Sequence, residues 1–260
     1  MHNNGDGTFT DVTHSSGLLS YHPTQTASWA DFNLDGFLDL FIGNESNGKW
    51  QDIIAQNRIG DGQAHPSELY LNNGDGTFTE ISKKVGIDTE AFVKAAVWGD
   101  INNDGLPDLF VSIMGEPNKL YVNKGGTSIE DWSFEEQAAQ SGVEKPLFSF
   151  PAWFWDFDND GWEDLIVLSY DFRNFSRLIS DVASEHLNLP FSSEIPRLYR
   201  NNKDGTFLDV TKLTQLDKAL YSMGCNFGDL DNDGWLDFYV GTGSPDLRSI
   251  VPNRMFRSIE

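Results

Sequence analysis

Four short segments of this 260-residue chain carry aspartate or asparagine at alternate positions, followed directly by a glycine. They begin at Asp31, Asp100, Asp156 and Asp229. Carboxylates at such close spacing repel one another strongly unless a cation lies between them. Calcium is a hard ion that takes about six to eight oxygen ligands, and a short loop supplies them when alternate side chains turn inward. The spacing therefore predicts four calcium-binding loops, which we name Asp loops 1 to 4.

Each Asp loop offers side-chain oxygens at positions 1, 3, 5 and 9 and a backbone carbonyl at position 7, while the glycine at position 6 permits the sharp turn. The predicted side-chain ligands are Asp31, Asn33, Asp35 and Asp39; Asp100, Asn102, Asp104 and Asp108; Asp156, Asp158, Asp160 and Asp164; and Asp229, Asp231, Asp233 and Asp237. The predicted carbonyl ligands belong to Phe37, Leu106, Trp162 and Trp235. Magnesium suits such loops less well because it keeps several waters in a strict octahedron. We therefore expect four Ca²⁺ sites.

An EF-hand begins in the same way, but it needs glutamate at position 12 and a helix on either side. Position 12 is Ile42, Val111, Val167 and Val240 in the four loops, which excludes the EF-hand. The β-branched and aromatic residues that follow each loop predict strand instead. Polar surface turns with incidental aspartates would explain one copy, but four copies in register favour ion binding.

A second motif repeats in step with the Asp loops. Asn-Gly-Asp-Gly-Thr-Phe ends at Phe9 and again at Phe78, and shortened forms occur twice later in the chain. Phe9 and Phe78 are 69 residues apart, as are Asp31 and Asp100, so both motifs belong to one repeating unit. Glycine and asparagine accept positive φ, and the motif therefore predicts a tight hairpin.

Each repeat is predicted to contain four short strands, two around the Asp loop and two around the hairpin. A small residue lies four places before each loop and suits a strand near a crowded axis: Ala27, Ala96, Ala152 and Cys225. An aromatic residue two places before each loop would fill the space between neighbouring sheets: Trp29, Trp98, Phe154 and Phe227. The predicted fold is all-β, a β-propeller of four-stranded antiparallel blades. A β-roll would need shorter repeats and separate sandwiches longer ones.

We expect residues 1–260 to form a single propeller region with repeats at about 15–82, 83–138, 139–211 and 212–260. Residues 1–14 would complete the last blade only if the ring closes. The chain begins within a hairpin and ends after a third strand. We expect an open arc whose remaining blades belong to a longer parent protein.

The chain is strongly acidic, with 40 Asp and Glu against 18 Lys and Arg, a formal charge of −22 and an isoelectric point near 4.3. Nucleic acids and anionic membranes are therefore poor partners. Cys225 is the single cysteine, so no intrachain disulfide forms. No apolar run approaches the ~18 residues of a membrane span, and no signal peptide is visible at the start. Calcium loops of moderate affinity predict an extracellular, periplasmic or cell-surface location.

The run from Leu69 to Ile81, followed by Gly86-Ile87 and Trp98-Gly-Asp, resembles the FG-GAP/VCBS repeat family. This family supplies the calcium-loop blades of integrin α-chain heads and of many bacterial exported proteins. The sequence of these residues is most similar to the branch of the family that is associated with ASPIC/UnbV modules. Trp155 departs from the pattern, since the other repeats have alanine or glycine there. The resemblance implies a secreted, integrin-like role in adhesion or recognition and rings of about seven blades.

The leading hypothesis is a calcium-stabilised scaffold that recognises a protein or a carbohydrate. The Asp loops should share one face with the hairpins, and the long insertions 45–67 and 171–196 should share the opposite face. Loops gathered on one side of a rigid scaffold are frequent recognition surfaces. Within the second insertion, Phe175, Leu178, Ile179, Val182 and Leu187 have helical spacing, which favours a helix packed on its own blade over a partner-binding helix.

The alternative is a propeller-type polysaccharide-active enzyme, a lyase or a hydrolase. Its candidate residues lie on the face that carries the two insertions, which we name the insertion face. They are Arg58, His65, Glu68, Arg173 and His186, and their spacing indicates no particular reaction. His2, His14 and His22 lack metal-ligand spacing as well. Cys225 occupies the position that alanine holds in the other three repeats, which predicts a structural thiol rather than a nucleophile. We therefore assign no catalytic residue and expect no enzymatic activity.

Overall fold

The computed structural model describes residues 1–45, 65–87, 89–171, 173, 177–243 and 250–259. Strands β1 (His2–Asn3) and β2 (Phe9–Thr10) form a hairpin. Sheet I contains β3 (Thr24–Ala30), β4 (Asp39–Asn44), β5 (Glu68–Asn72) and β6 (Phe78–Glu80). Sheet II contains β7 (Val93–Gly99), β8 (Asp108–Ile113), β9 (Lys119–Asn123) and β10 (Phe134–Glu136).

Sheet III contains β11 (Ser149–Trp155), β12 (Asp164–Ser169), β13 (Arg197–Asn201) and β14 (Phe207–Asp209). Sheet IV contains β15 (Ser222–Gly228), β16 (Asp237–Thr242) and β17 (Arg254–Phe256). Every sheet is antiparallel, and its strands follow one another in chain order. The predicted four-stranded antiparallel sheets are confirmed in sheets I, II and III.

Neighbouring sheets pack face to face through alternate side chains of their strands. Phe41 and Leu69 of sheet I lie opposite each other and are fully buried against sheet II. Phe110 and Leu120 repeat this arrangement between sheets II and III. The first strands β3, β7, β11 and β15 contact one another in the same order. The core is therefore a series of apolar layers between sheets, as in a propeller.

The aromatic residues before the Asp loops fill these layers, as the sequence predicts. Trp98 packs edge-on against Phe134, with ring centroids 6.2 Å apart. Phe227 stacks on Trp153 of the preceding sheet at 5.5 Å. Trp29 differs, since half of its side chain (51%) is exposed.

Within the described residues, three helices connect the strands. The single-turn helices α1 (Ser82–Val85) and α2 (Ala138–Ser141) follow the outer strands of sheets I and II. The third, α3 (Leu178–His186), lies in the second insertion. None of the helices in the described part of the chain is long and apolar enough to cross a membrane.

The structure shows no closed ring among the residues it describes. Among these residues, β17 pairs with β16 alone and β1 pairs with β2, so the first and last strands of the chain belong to separate sheets. Tyr239 and Met255 lie opposite each other on sheet IV and remain 46% and 55% exposed. The equivalent positions of sheets I, II and III are buried by the sheet that follows.

Candidate metal centres

Each Asp loop joins the first two strands of its sheet and is curled by hydrogen bonds to its own first aspartate. In loop 1, Asp31 accepts the backbone N–H groups of Asp35 and Gly36 at 3.0 and 2.9 Å. The same pair of bonds forms at Asp100, Asp156 and Asp229. The carboxylate at position 5 accepts the N–H of position 7 in every loop. The four loops therefore share one hydrogen-bonded conformation.

The backbone at positions 4 and 6 of every loop lies in the left-handed region. The position 6 glycines have φ between 86° and 90°, as the sequence predicts. Position 4 was not singled out from the sequence, yet Leu34, Asn103, Asn159 and Asn232 have φ between 54° and 59°. Asparagine tolerates this conformation better than most residues. The recurrence of asparagine at position 4 was thus an available signal of the loop conformation.

The aspartate at position 9 is buried, and it ties the loop to the third strand. Asp108 is fully buried and accepts the N–H of Asn123 on β9 at 2.7 Å and that of Ile101 at 3.1 Å. Asp39, Asp164 and Asp237 make the equivalent pairs of bonds. Burial raises the pKa of Asp39, Asp108 and Asp164 to about 7. A cation beside these carboxylates would favour their charged form.

The described residues bring carboxylates together most closely in loops 3 and 4. Carboxylate oxygens of Asp156, Asp158 and Asp164 lie within 4.8 Å of one another. The same holds for Asp229, Asp231 and Asp233. Burial, together with the neighbouring carboxylates of loop 3, raises the pKa of Asp158.

Loops 1 and 2 differ because position 3 is asparagine. Asn33 donates to the carboxylate of Asp35 at 2.8 Å, and Asn102 donates to that of Asp104 at 2.9 Å. The asparagine thus relieves part of the repulsion between loop carboxylates.

Basic side chains contact the carboxylates of loops 3 and 4. Lys203 lies 3.0 Å from Asp160. Arg257 lies 2.5 Å from Asp231 and 3.4 Å from Asp233. These cations balance part of the loop charge, and a metal ion would compete with them.

Hydrogen bonds also connect the Asp loops of neighbouring sheets. Asn103 of loop 2 donates to the carbonyl of Gly161 in loop 3 at 3.2 Å, and Asn159 of loop 3 donates to Gly234 of loop 4 at 3.3 Å. Glu163 accepts the N–H of Asp100 at 2.8 Å. Loops 2, 3 and 4 therefore form a connected row along one face.

The hairpins lie on the same face as the Asp loops. A side-chain methyl placed on Gly74 of the hairpin in sheet I would meet the ring of Phe37 in loop 1 at 2.9 Å. The salt bridge between Lys203 and Asp160 joins hairpin and loop in sheet III.

The insertion face lies at the other end of the strands, and α3 covers part of it. Leu178 is fully buried, and Val182 packs with it against an apolar cluster that includes Tyr170 and Tyr221. The predicted helix is confirmed over Leu178–His186, and Leu178 and Val182 pack on the protein's own sheets, but Ile179 and Leu187 are exposed instead. Phe175 and most of insertion 45–67 lie outside the described residues.

Two of the candidate catalytic residues on this face, Glu68 and Arg173, are engaged in hydrogen bonds. The Glu68 carboxylate accepts from Ser20, Asn44 and Tyr70 at 2.8, 3.1 and 2.9 Å. Arg173 donates twice to Asp171, at 2.7 and 2.6 Å. Arg58 lies outside the described residues.

Burial raises the pKa of the Cys225 thiol to about 12, which suits a structural thiol.

Sequence spacing did not indicate that His22 and His65 are neighbours. They are 43 residues apart, yet their Nδ1 atoms lie 3.2 Å from each other.

The chain belongs to the FG-GAP-like repeat family, whose model matches residues 1–42, 47–111 and 156–240. It is similar to cartilage acidic protein 1 of Xenopus tropicalis, with 24% identity over 78% of this chain and 28% of the relative. Human cartilage acidic protein 1 is 27% identical over 52% of this chain and 20% of that protein. The chain thus spans about a quarter of the length of these relatives.

Among solved structures, the chain matches an Agrocybe aegerita lectin described as recognising non-reducing terminal N-acetylglucosamine. It has a TM-score of 0.35 and 15% sequence identity, over 92% of this chain and 67% of the lectin.

Proposed function

We propose that this chain is a calcium-binding β-propeller scaffold that recognises a protein or a carbohydrate outside the cell. The observation that supports calcium binding most strongly is the loop conformation, which occurs in all four loops, together with the three carboxylates that lie within 4.8 Å of one another in loops 3 and 4. Each proposed site combines the side chains at positions 1, 3, 5 and 9 with the carbonyl at position 7. Oxygen donors of this kind suit calcium, whereas zinc and copper prefer nitrogen or sulfur.

The proposed location and branch rest on charge, chemistry and similarity. Calcium loops of moderate affinity function where calcium is plentiful, as it is outside the cell. The chain is strongly acidic, with a formal charge of −22, and its relatives carry the name cartilage acidic protein 1. We assign the chain to the branch associated with ASPIC/UnbV modules from the residues of its hairpin motif.

Loop 3 provides the test of the calcium proposal. We expect Asp158→Ala combined with Asp160→Ala to reduce the calcium stoichiometry from four to three, because both positions belong to one loop. Isothermal titration calorimetry on the chelated and refilled protein measures this number. Asp204→Ala with Asp209→Ala is the matched control, since it removes two carboxylates of sheet III that lie outside the loop. A count of four in the loop variant would show that loop 3 is not a site.

Loop 4 allows a test in the opposite direction. Arg257 contacts Asp231 and Asp233, so calcium must displace its guanidinium. We expect Arg257→Gln to increase the calcium affinity of loop 4 by about threefold to tenfold, in line with the ~1 kcal/mol of a surface ion pair. Calorimetric titration of the variant measures the change. The exposed Lys212→Gln controls for the altered net charge, and an equal increase in that control would contradict direct competition.

The proposed recognition surface is the face that carries insertions 45–67 and 171–196. Its described part presents apolar side chains to solvent at and after α3. Ile179, Leu187 and Leu189 are 52%, 65% and 54% exposed. A rigid scaffold that presents apolar residues on a loop-rich face suits a protein or glycan partner. We propose recognition rather than catalysis because the hydrogen bonds of Glu68 and Arg173 occupy their charged groups.

Substitutions on α3 test this face. We expect Ile179→Glu with Leu187→Glu to abolish ligand capture, because charged side chains oppose burial in an apolar contact. A glycan array and a pull-down, each with and without calcium, identify the ligand and measure its loss. Leu208→Glu is the control, since Leu208 is 47% exposed on the outer strand β14. If substitutions on the Asp-loop face abolish capture instead, the recognition surface lies on that face.

A further inference from the structure

Two histidines meet at the end of sheet I that lies away from its Asp loop. His22 precedes β3 and His65 precedes β5, and both of these strands run toward the Asp-loop end. The Nδ1 atoms of the two imidazoles lie 3.2 Å apart and share a hydrogen bond, whose proton a metal ion would replace; the ring centroids are 5.4 Å apart and the rings are inclined at 58°. His65 is almost fully buried, with 8% exposed, and His22 is partly buried.

The separation of the two nitrogens fits a shared metal ion. Zinc binds imidazole nitrogen at about 2.0–2.1 Å in a tetrahedral arrangement, which places two ligand nitrogens about 3.3 Å apart. Imidazole is also a preferred ligand of copper and nickel but a poor one for calcium. We propose that His22 and His65 bind a divalent transition-metal ion of the zinc class through their Nδ1 atoms.

The backbone beside each histidine is fixed by the end of β4, so both ligands are held in place. The carbonyl of Pro23, next to His22, accepts the N–H of Glu45 at 2.9 Å. The carbonyl of Pro66, next to His65, accepts the side-chain N–H of Asn44 at 2.8 Å. Asn44 is itself buried and has the Thr24 hydroxyl as a further partner at 3.0 Å. Preorganised ligands lose little conformational entropy when a metal binds.

Two protein ligands leave coordination positions open on the zinc. Water fills such positions in a free site, and a donor atom of a bound molecule can replace it. Because the pair lies on the insertion face, the metal would be placed on the surface that we propose for recognition. The metal site itself does not depend on calcium in the Asp loops, which use different residues at the other end of the sheets.

Zinc titration of the whole chain, saturated with calcium, tests the site. We expect one zinc ion to bind, and we expect His22→Gln and His65→Gln each to weaken binding by more than about 100-fold, since losing a ligand exceeds the ~10- to 100-fold effect of losing an outer partner. His14→Gln is the matched control, because His14 is exposed on the same N-terminal segment and should leave binding unchanged. Thermal melts in calcium verify that each variant is folded.

A second measurement on the unaltered chain identifies the ligand atoms. Imidazole nitrogen NMR should show that zinc shifts the Nδ1 resonances of two histidines while the other histidines keep theirs. The proposal is overturned if the chain binds no zinc, or if both glutamine variants bind it as tightly as the unaltered chain. It is also overturned if the shifted resonances belong to other histidines.

Discussion

Removal of calcium is expected to lower the melting temperature of this chain by more than about 10 °C. A ligand that binds only the folded state stabilises it by about 2.7 kcal/mol when its concentration is 100 times its Kd. For a domain of this size, each kcal/mol corresponds to about 2–4 °C. Four sites therefore produce a large combined effect, and the buried aspartates at position 9 add to it because their charge lacks a counter-ion without the metal.

The measurement is a thermal melt after exhaustive chelation, compared with melts after calcium and after magnesium are added back. Calcium should restore the melting temperature, whereas magnesium at the same concentration should restore much less of it. The Asp158→Ala and Asp160→Ala double variant should lose a smaller part of its stability on chelation, since it has one site fewer. An unchanged melt after chelation would refute the calcium proposal.

The second large effect is expected from Asp108→Ala, which should destabilise the fold whether or not calcium is present. The Asp108 carboxylate accepts the buried N–H groups of Asn123 and Ile101. Each buried N–H left without a partner costs about 1–3 kcal/mol, so the loss of both partners is expected to cost about 2–6 kcal/mol. Chemical denaturation in calcium and in chelator measures the free energy of unfolding under both conditions.

Asp104→Ala in the same loop is the matched control. Asp104 is exposed. Its carboxylate accepts the backbone N–H of Leu106 and the side-chain N–H of Asn102, and both of these bonds lie within the loop. We expect this variant to lose stability in calcium but to lose less than about 1 kcal/mol in chelator. Equal losses in the two variants without calcium would show that Asp108 does not tie the loop to the third strand.

Some expectations from the sequence were confirmed because they depend on local geometry. The Asp loops and hairpins form within a few residues, where glycine at positive φ and aspartate beside free N–H groups leave few conformations. The period of the repeats and the alternation of apolar residues then predict antiparallel sheets of short strands. The helix at Leu178–His186 follows in the same way from its own spacing.

Other features could not be predicted, because residues far apart in the chain create them. The roles of position 9 and of Arg257 depend on where the third strand of each sheet lies. His22 and His65 carry no common motif, and the fold alone places their nitrogens at 3.2 Å. The bonds of Asn103 and Asn159 to the next loop depend on how two sheets pack.

The sequence by itself therefore determined the repeat, the strand order within a sheet and the conformation of each Asp loop. These properties follow from short-range sterics and hydrogen bonding. The tertiary structure decided which charges meet, which carboxylates lose solvent and which histidines become neighbours. Burial and contact between distant residues follow from the packing of whole sheets, and no local pattern encodes them.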